Sequence, residues 1–113
     1  MQRESRKLLW DIRDALDRIA RYRMGRTFAD YQTDEMFQGS VERRLAVIGE
    51  GVSQLTKIDP DLAAQIPDKS QIISFRNILI HAYAEIKPEL IWDVLDNDLP
   101  VLAAIVDSLI RSD

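Results

Sequence analysis

Leu8, Ile12, Ala15, Leu16 and Ile19 fall three or four positions apart near the start of the chain. That spacing lines one face of an α-helix and cannot line one face of a strand. The same rhythm returns in Phe37, Val41, Leu45, Ile48, Val52 and Leu55, and again in Leu102, Ile105, Val106, Leu109 and Ile110. No stretch shows the period-two alternation of a strand, so the chain is expected to be all-α.

The first helix is expected from about Glu4 to Tyr22, followed by a linker from Gly25 to about Gln32 that Phe28 and Tyr31 pin to the core. Thr33 is the expected N-cap of the second helix, with Asp34 and Glu35 at the positive end of its dipole. Gly39, Gly49 and Gly51 lie inside that helix. Each costs about 1 kcal/mol against alanine. The helix therefore needs tertiary packing, and Gly49 and Gly51 are placed to let a neighbouring backbone come close. Asp59-Pro60 starts one or two turns that stop before Pro67. A third long helix runs from about Ser70 to about Glu85, and Pro88 opens another. Pro100, preceded by Asn97 and Asp98, imposes a kink or break before the last helix. With 113 residues, the expectation is one domain over 1–113, an antiparallel up-down bundle of four to five helices.

Composition narrows the chemistry. There is no cysteine, which removes disulfides and thiolate metal sites, and a single histidine makes an all-protein zinc site a poor fit. No metal or other cofactor is expected. No apolar run reaches bilayer-spanning length, and the polar start of the chain carries no leader pattern, so no membrane association and a cytoplasmic location are the default expectations. The net charge is −4, yet residues 1–26 hold eight basic residues against four acidic ones. That segment reads as a solvated helix face or as a surface that attracts phosphate or an acidic partner.

The third long helix carries the functional signal. On a helical wheel, Ile72, Phe75, Ile78, Leu79, Ala82 and Ile86 share one arc, which is the expected core face. Ile73 and Ile80 fall on another side. A helix apolar on two sides is usually buried on two sides. A second copy of the chain is the expected cover, giving a homodimer with this helix near the interface. Polar residues frame that second face: Arg76 and Tyr83 at one edge, Asn77 and His81 at the other. On one ideal helix Arg76 and His81 stand about 140° and about 7.5 Å of rise apart. A two-fold dimer can bring Arg76 of one copy towards His81 of the other.

Such a set suits phosphoryl transfer without metal. Histidine can both take and give a proton near neutral pH. Arginine matches phosphate oxygens and the charge that builds on them. Asn77 is able to hydrogen-bond the imidazole or a phosphate oxygen. RNA carries its own nucleophile in the 2′-hydroxyl, so a base, an acid and a cation suffice. Glu50, among apolar residues of the second helix, is a candidate to orient Arg76.

Arg76-Asn77-Ile78-Leu79-Ile80-His81-Ala82-Tyr83 reads R-x4-H-x-Y. This resembles the signature of HEPN-domain proteins, specifically the HepT-like toxins of toxin–antitoxin pairs. Val41 to Glu50 resembles the family's second helix, and Ile91-Trp92-Asp93 and Asp98 to Leu102 resemble its C-terminal part. Ser74-Phe75 stands where the family often has Gly-Met. The resemblance implies a dimeric HEPN-type bundle acting as a metal-independent ribonuclease on RNA, with tRNA one candidate within that class. It makes Arg76 and His81 the catalytic pair and Asn77 the polar residue beside that arginine. It also makes Tyr83 the tyrosine that a minimal nucleotidyltransferase antitoxin (MntA-like) modifies with AMP. Bulk and negative charge beside Arg76 would compete with an RNA phosphate.

Plainer readings stand beside these. His81 can be a satisfied core histidine, Tyr83 an amphipathic core-edge residue, Asn77 a local hydrogen-bonder and Glu50 a solvated carboxylate. Trp10 and Trp92 read as core or interface residues rather than stacking platforms for bases. Two other functions fit the pattern: a non-catalytic HEPN module that docks a nucleotidyltransferase, and a structural adaptor bundle.

Overall fold

The computed structural model describes residues 1–81 and 86–112. Among them the backbone forms α1 (Arg3–Arg23), α2 (Phe28–Thr33), α3 (Glu35–Ile58), α4 (Pro60–Ala63), α5 (Lys69–His81), α6 (Pro88–Asp93) and α7 (Leu99–Arg111). A π-helical turn, Val94–Asp98, joins α6 to α7. None of the described helices is long and apolar enough to cross a membrane. The expected all-α bundle forms, with the short α2 and α4 added in the connections.

α3 is the central helix. Its apolar stripe of Phe37, Val41, Leu45, Ile48, Val52 and Leu55 is buried along its whole length. α1 packs on one side through Leu9, Ile12, Leu16 and Ile19, and α5 packs on another. α7 covers α1 with Leu102, Val106 and Leu109. Ser5, at the start of α1, donates to Asp59 just past the end of α3 (2.8 Å), so these two helices run antiparallel. Asp59 also caps α4 by accepting from the Leu62 amide. The end of α1 meets the start of the α7 arm through Arg23 and Asp96, and Arg13 pairs with Asp107 at 2.7 Å, so α1 and α7 are antiparallel too.

Glycine decides how close α1 comes to α3. A Cβ at Gly51 would sit 2.7 Å from Cγ1 of Ile12, which is fully buried. Gly39, by contrast, faces open space.

Several local expectations need correction. The stretch expected as a linker folds as α2, because Thr27 and Asp30 form a capping box: the Thr27 hydroxyl accepts from the Asp30 amide and the Asp30 carboxylate accepts from the Thr27 amide. Tyr31 is buried as expected, and that burial pushes its hydroxyl pKa well above the ordinary value. Phe28, Tyr31 and Phe37 all pack on Trp92, with Arg23 over the indole at 4.5 Å. The N-cap of α3 is Asp34 rather than Thr33, which closes α2; the Asp34 carboxylate accepts from the amides of Met36 and Phe37. A carboxylate caps as well as a hydroxyl and adds favourable charge at the dipole. Trp10 is 52% exposed and takes no part in the core.

Pro60 and Pro88 open their helices, and Pro100 sits in the first turn of α7, where its missing N–H is not needed. The kink expected before Pro100 is the π-helical turn. The N-terminal cations also resolve: Lys7 pairs with Asp11, Arg13 with Asp17 and Asp107, Arg18 with Asp14, Arg23 with Asp96 and Arg26 with Asp34. Much of the basic stretch is thus a solvated, internally neutralised face.

Two alanine substitutions on α3 should act in opposite directions. Gly39→Ala gains helix propensity at no steric cost and raises stability by about 1 kcal/mol. Gly51→Ala forces Ile12 aside and lowers stability by about 1–3 kcal/mol. Urea denaturation of the two variants measures both, and equal shifts would refute the close contact at Gly51.

Candidate active site

The site is built where α5 crosses α3. Most of the arc expected from the wheel is packed, through Ile72, Phe75, Leu79 and Ile86, and the departure is at Ile78. Leu79 is buried, Ile72, Ile73 and Phe75 pack partly against the core, and Ile78 is 43% exposed. The buried face is thus rotated from the expected position towards Arg76, which exchanges the roles of Ile73 and Ile78. Ala82 lies outside the described residues.

The cause of this rotation is Gly49. A Cβ at that position would lie 2.8 Å from Cγ of Arg76 and closer still to its Cβ. The α3 backbone therefore makes direct contact with the stem of Arg76, and an arginine takes a place that an apolar residue would otherwise fill. Its stem packs while its head reaches the surface beside Glu50, as long cationic side chains tend to do. The Arg76 guanidinium forms an ion pair through Nη1 with Glu50 Oε2 at 3.2 Å, with the Arg76 side chain 20% exposed. Gln54, one turn further along α3, donates Nε2 to the other oxygen, Glu50 Oε1, at 3.0 Å. Glu50 is thereby fixed from two sides. Arg76 Nε is buried and has no hydrogen-bond partner among the described residues. A buried donor left this way carries a desolvation cost of about 1–3 kcal/mol unless something accepts from it.

The predicted site residues fare differently. Arg76 and Glu50 are brought together. Asn77 is exposed and its side chain has no hydrogen-bond partner among the described residues, so it does not join that pair. His81 closes α5, but its side chain lies outside what the structure describes, and Tyr83 lies outside the described residues altogether. Ile80, 49% exposed, and Ile78 leave an uncovered apolar face on the same helix as Arg76. Gln54 escaped the sequence reading, though its place four residues after Glu50 on a helix was a usable signal.

An arginine held by backbone contact and a fixed carboxylate is pre-organised to meet phosphate oxygens. The sequence model of the HepT-like ribonucleases matches residues 12–109. The chain belongs to the HepT-like ribonuclease family. Among relatives, "Putative RNase MJ0127" of Methanocaldococcus jannaschii is 33% identical over 99 residues, covering 88% of this chain and 81% of that one. "Probable ribonuclease HepT" of Thermococcus cleftensis is 29% identical over 102 residues, covering 90% of this chain and 92% of that one. No solved structure matches. Within this HepT-like chain, Arg76 is the residue of the R-x4-H-x-Y motif whose side-chain geometry is described, and Glu50 is its partner.

If Gly49 seats Arg76, a single methyl there should disturb both fold and activity. Gly49→Ala is expected to lower stability by about 1–3 kcal/mol and to reduce RNA cleavage at least about tenfold through misplacement of the guanidinium. Thermal melts paired with a cleavage assay test this. Unchanged cleavage at unchanged stability would remove Gly49 from the account.

Proposed function

We propose that this HepT-like chain is an endoribonuclease that cuts RNA through the substrate's own 2′-hydroxyl, without a metal ion, at a composite site between two copies. The observation that carries the proposal is Arg76: a guanidinium seated on Gly49, paired with Glu50, with Nε left for an acceptor. Membership of a ribonuclease family and the placement of His81 in the same motif support it.

In this reading His81 accepts the proton of the 2′-hydroxyl, whose oxygen attacks the adjacent phosphorus. The bond from phosphorus to the 5′-oxygen breaks, and that oxygen takes a proton from a second acid. The products are a 2′,3′-cyclic phosphate and a free 5′-hydroxyl. Arg76 neutralises the charge that builds on the non-bridging oxygens, and Asn77 hydrogen-bonds a phosphate oxygen. His81 of a second copy supplies the acid, because one histidine cannot be protonated and deprotonated at once. The exposed Ile78 and Ile80 give the dimer a surface to bury.

The biological role that fits is the toxin of a toxin–antitoxin pair, with RNA as target and tRNA one candidate. AMP added to Tyr83 by a nucleotidyltransferase partner would silence it by placing a phosphate and a bulky base near Arg76.

RNA cleavage in EDTA tests the chemistry, comparing His81→Ala with wild type whose intact mass excludes added AMP. Wild type is expected to cut and to leave cyclic phosphate ends, while His81→Ala folds normally and loses activity by at least about a hundredfold. Equal cutting by both proteins would remove His81 from the mechanism. No cutting of any RNA by unmodified wild type would favour the docking-module reading.

A further inference from the structure

An acidic protein that handles RNA needs at least one place where its positive charge is not already spent. Lys7, Arg13 and Arg18 of α1 are paired with carboxylates along the same helix or on α7. Arg43 and Arg44, on α3, are different: among the described residues neither pairs with a carboxylate. Arg43 is exposed, and Arg44 is half-buried; Arg44 and Arg18 together lower the pKa of the Tyr22 hydroxyl. Tyr22, Arg43 and Arg44 line an open, shallow cleft of about 390 Å³ with Met36, Gly39 and Ser40. A Cβ at Gly39 would meet nothing within 4 Å, so this part of the cleft is open to solvent. Met36, 83% exposed, lies at its edge. Cationic forks beside hydroxyls are the chemistry that receives the phosphates of a nucleic-acid backbone.

Position ties this cleft to Arg76. Arg43 and Glu50 are seven residues apart on one helix, so they share a face of α3 at about 10.5 Å along its axis. Glu50 holds Arg76. A single strand lying along that face of α3 would pass from the cleft to the Arg76 site.

We propose that the cleft formed by Tyr22, Arg43 and Arg44 is a second RNA contact, which grips the phosphodiester backbone of a single strand whose neighbouring segment lies at Arg76. The proposal rests on the ribonuclease reading for its purpose but not for its test. The cleft sets affinity and the way the strand runs, not the chemical step.

Fluorescence anisotropy with a labelled single-stranded RNA of about 20 nucleotides tests this on the non-cleaving His81→Ala background. Adding Arg43→Ala and Arg44→Ala is expected to weaken binding about tenfold and to make the dependence of log Kd on log salt shallower by about 1.4, about 0.7 for each lost phosphate contact on a single strand. Replacing both arginines by lysine should keep the salt slope. Removing two other exposed cations, Lys7→Ala with Lys57→Ala, should leave affinity within about twofold. Should the double alanine variant lose helicity, Arg43→Ala alone, at an exposed position, gives the reading, with about half the change in slope. Equal losses from the lysine control, or no loss from the arginine variants, would overturn the proposal. So would binding of an acidic protein but no RNA. If RNA binding depends on Arg43 and Arg44 while unmodified wild type cuts nothing, the cleft stands and the ribonuclease reading falls.

Discussion

The contact between the backbone at Gly49 and the stem of Arg76 is the constraint around which the helices on this side of the molecule are arranged. α3 has a different glycine for each neighbour: Gly51 admits Ile12 of α1, and Gly49 admits Arg76 of α5. Two residues apart on a helix, these positions face different directions, so one turn of α3 receives two helices at close range. The arrangement turns α5 so that an arginine faces α3, and Ile78 and Ile80 are left outside. A side chain at position 49 would push α5 away and restore an ordinary apolar seam. The fold instead keeps a strained-for-space contact whose product is a fixed guanidinium.

What that guanidinium gains from Glu50 is position more than stability. The Glu50 side chain is 49% exposed, and an ion pair of that kind contributes at most about 1 kcal/mol. With Gln54 on its second oxygen, however, Glu50 has little freedom, and the Arg76 head has one preferred place. Holding a cation before substrate arrives removes a reorganisation cost from the reaction. The distribution of charge elsewhere follows a compatible logic. The arginines and Lys7 of α1 that pair internally attract little, while Arg43 and Arg44 on the same helix as Glu50 remain available to an anion in a molecule of net charge −4.

Much of the fold was legible because helical periodicity and proline placement are local signals. The stripe from Phe37 to Leu55, the helix starts at Pro60 and Pro88, and the break before Pro100 needed no knowledge of neighbours. The errors arose where a signal was non-local or overlooked. Thr27 and Asp30 spelled a capping box in a stretch that was read as linker. Ile73 and Ile78 were exchanged because the wheel assigns the core to the most apolar arc, and a glycine on another helix can rotate that choice. For the site, the motif located Arg76, and Glu50 was named as its orienting group from its apolar surroundings alone. Gly49 was legible as a place of close approach, but not that Arg76 is what approaches, since only the crossing of two helices defines the partner. Trp10 shows the reverse case, a large apolar residue that stays out of the core of the single chain, with 52% of its surface exposed.

The central claim is that the fold presents Arg76 as a forked phosphate ligand rather than as a mere charge. Arg76→Lys keeps the charge and most of the stem but loses the fork and the planar geometry. The account predicts a variant that folds with a Tm within a few degrees of wild type and cleaves RNA at least about a hundredfold more slowly. Cleavage by Arg76→Lys at the wild-type rate would contradict it.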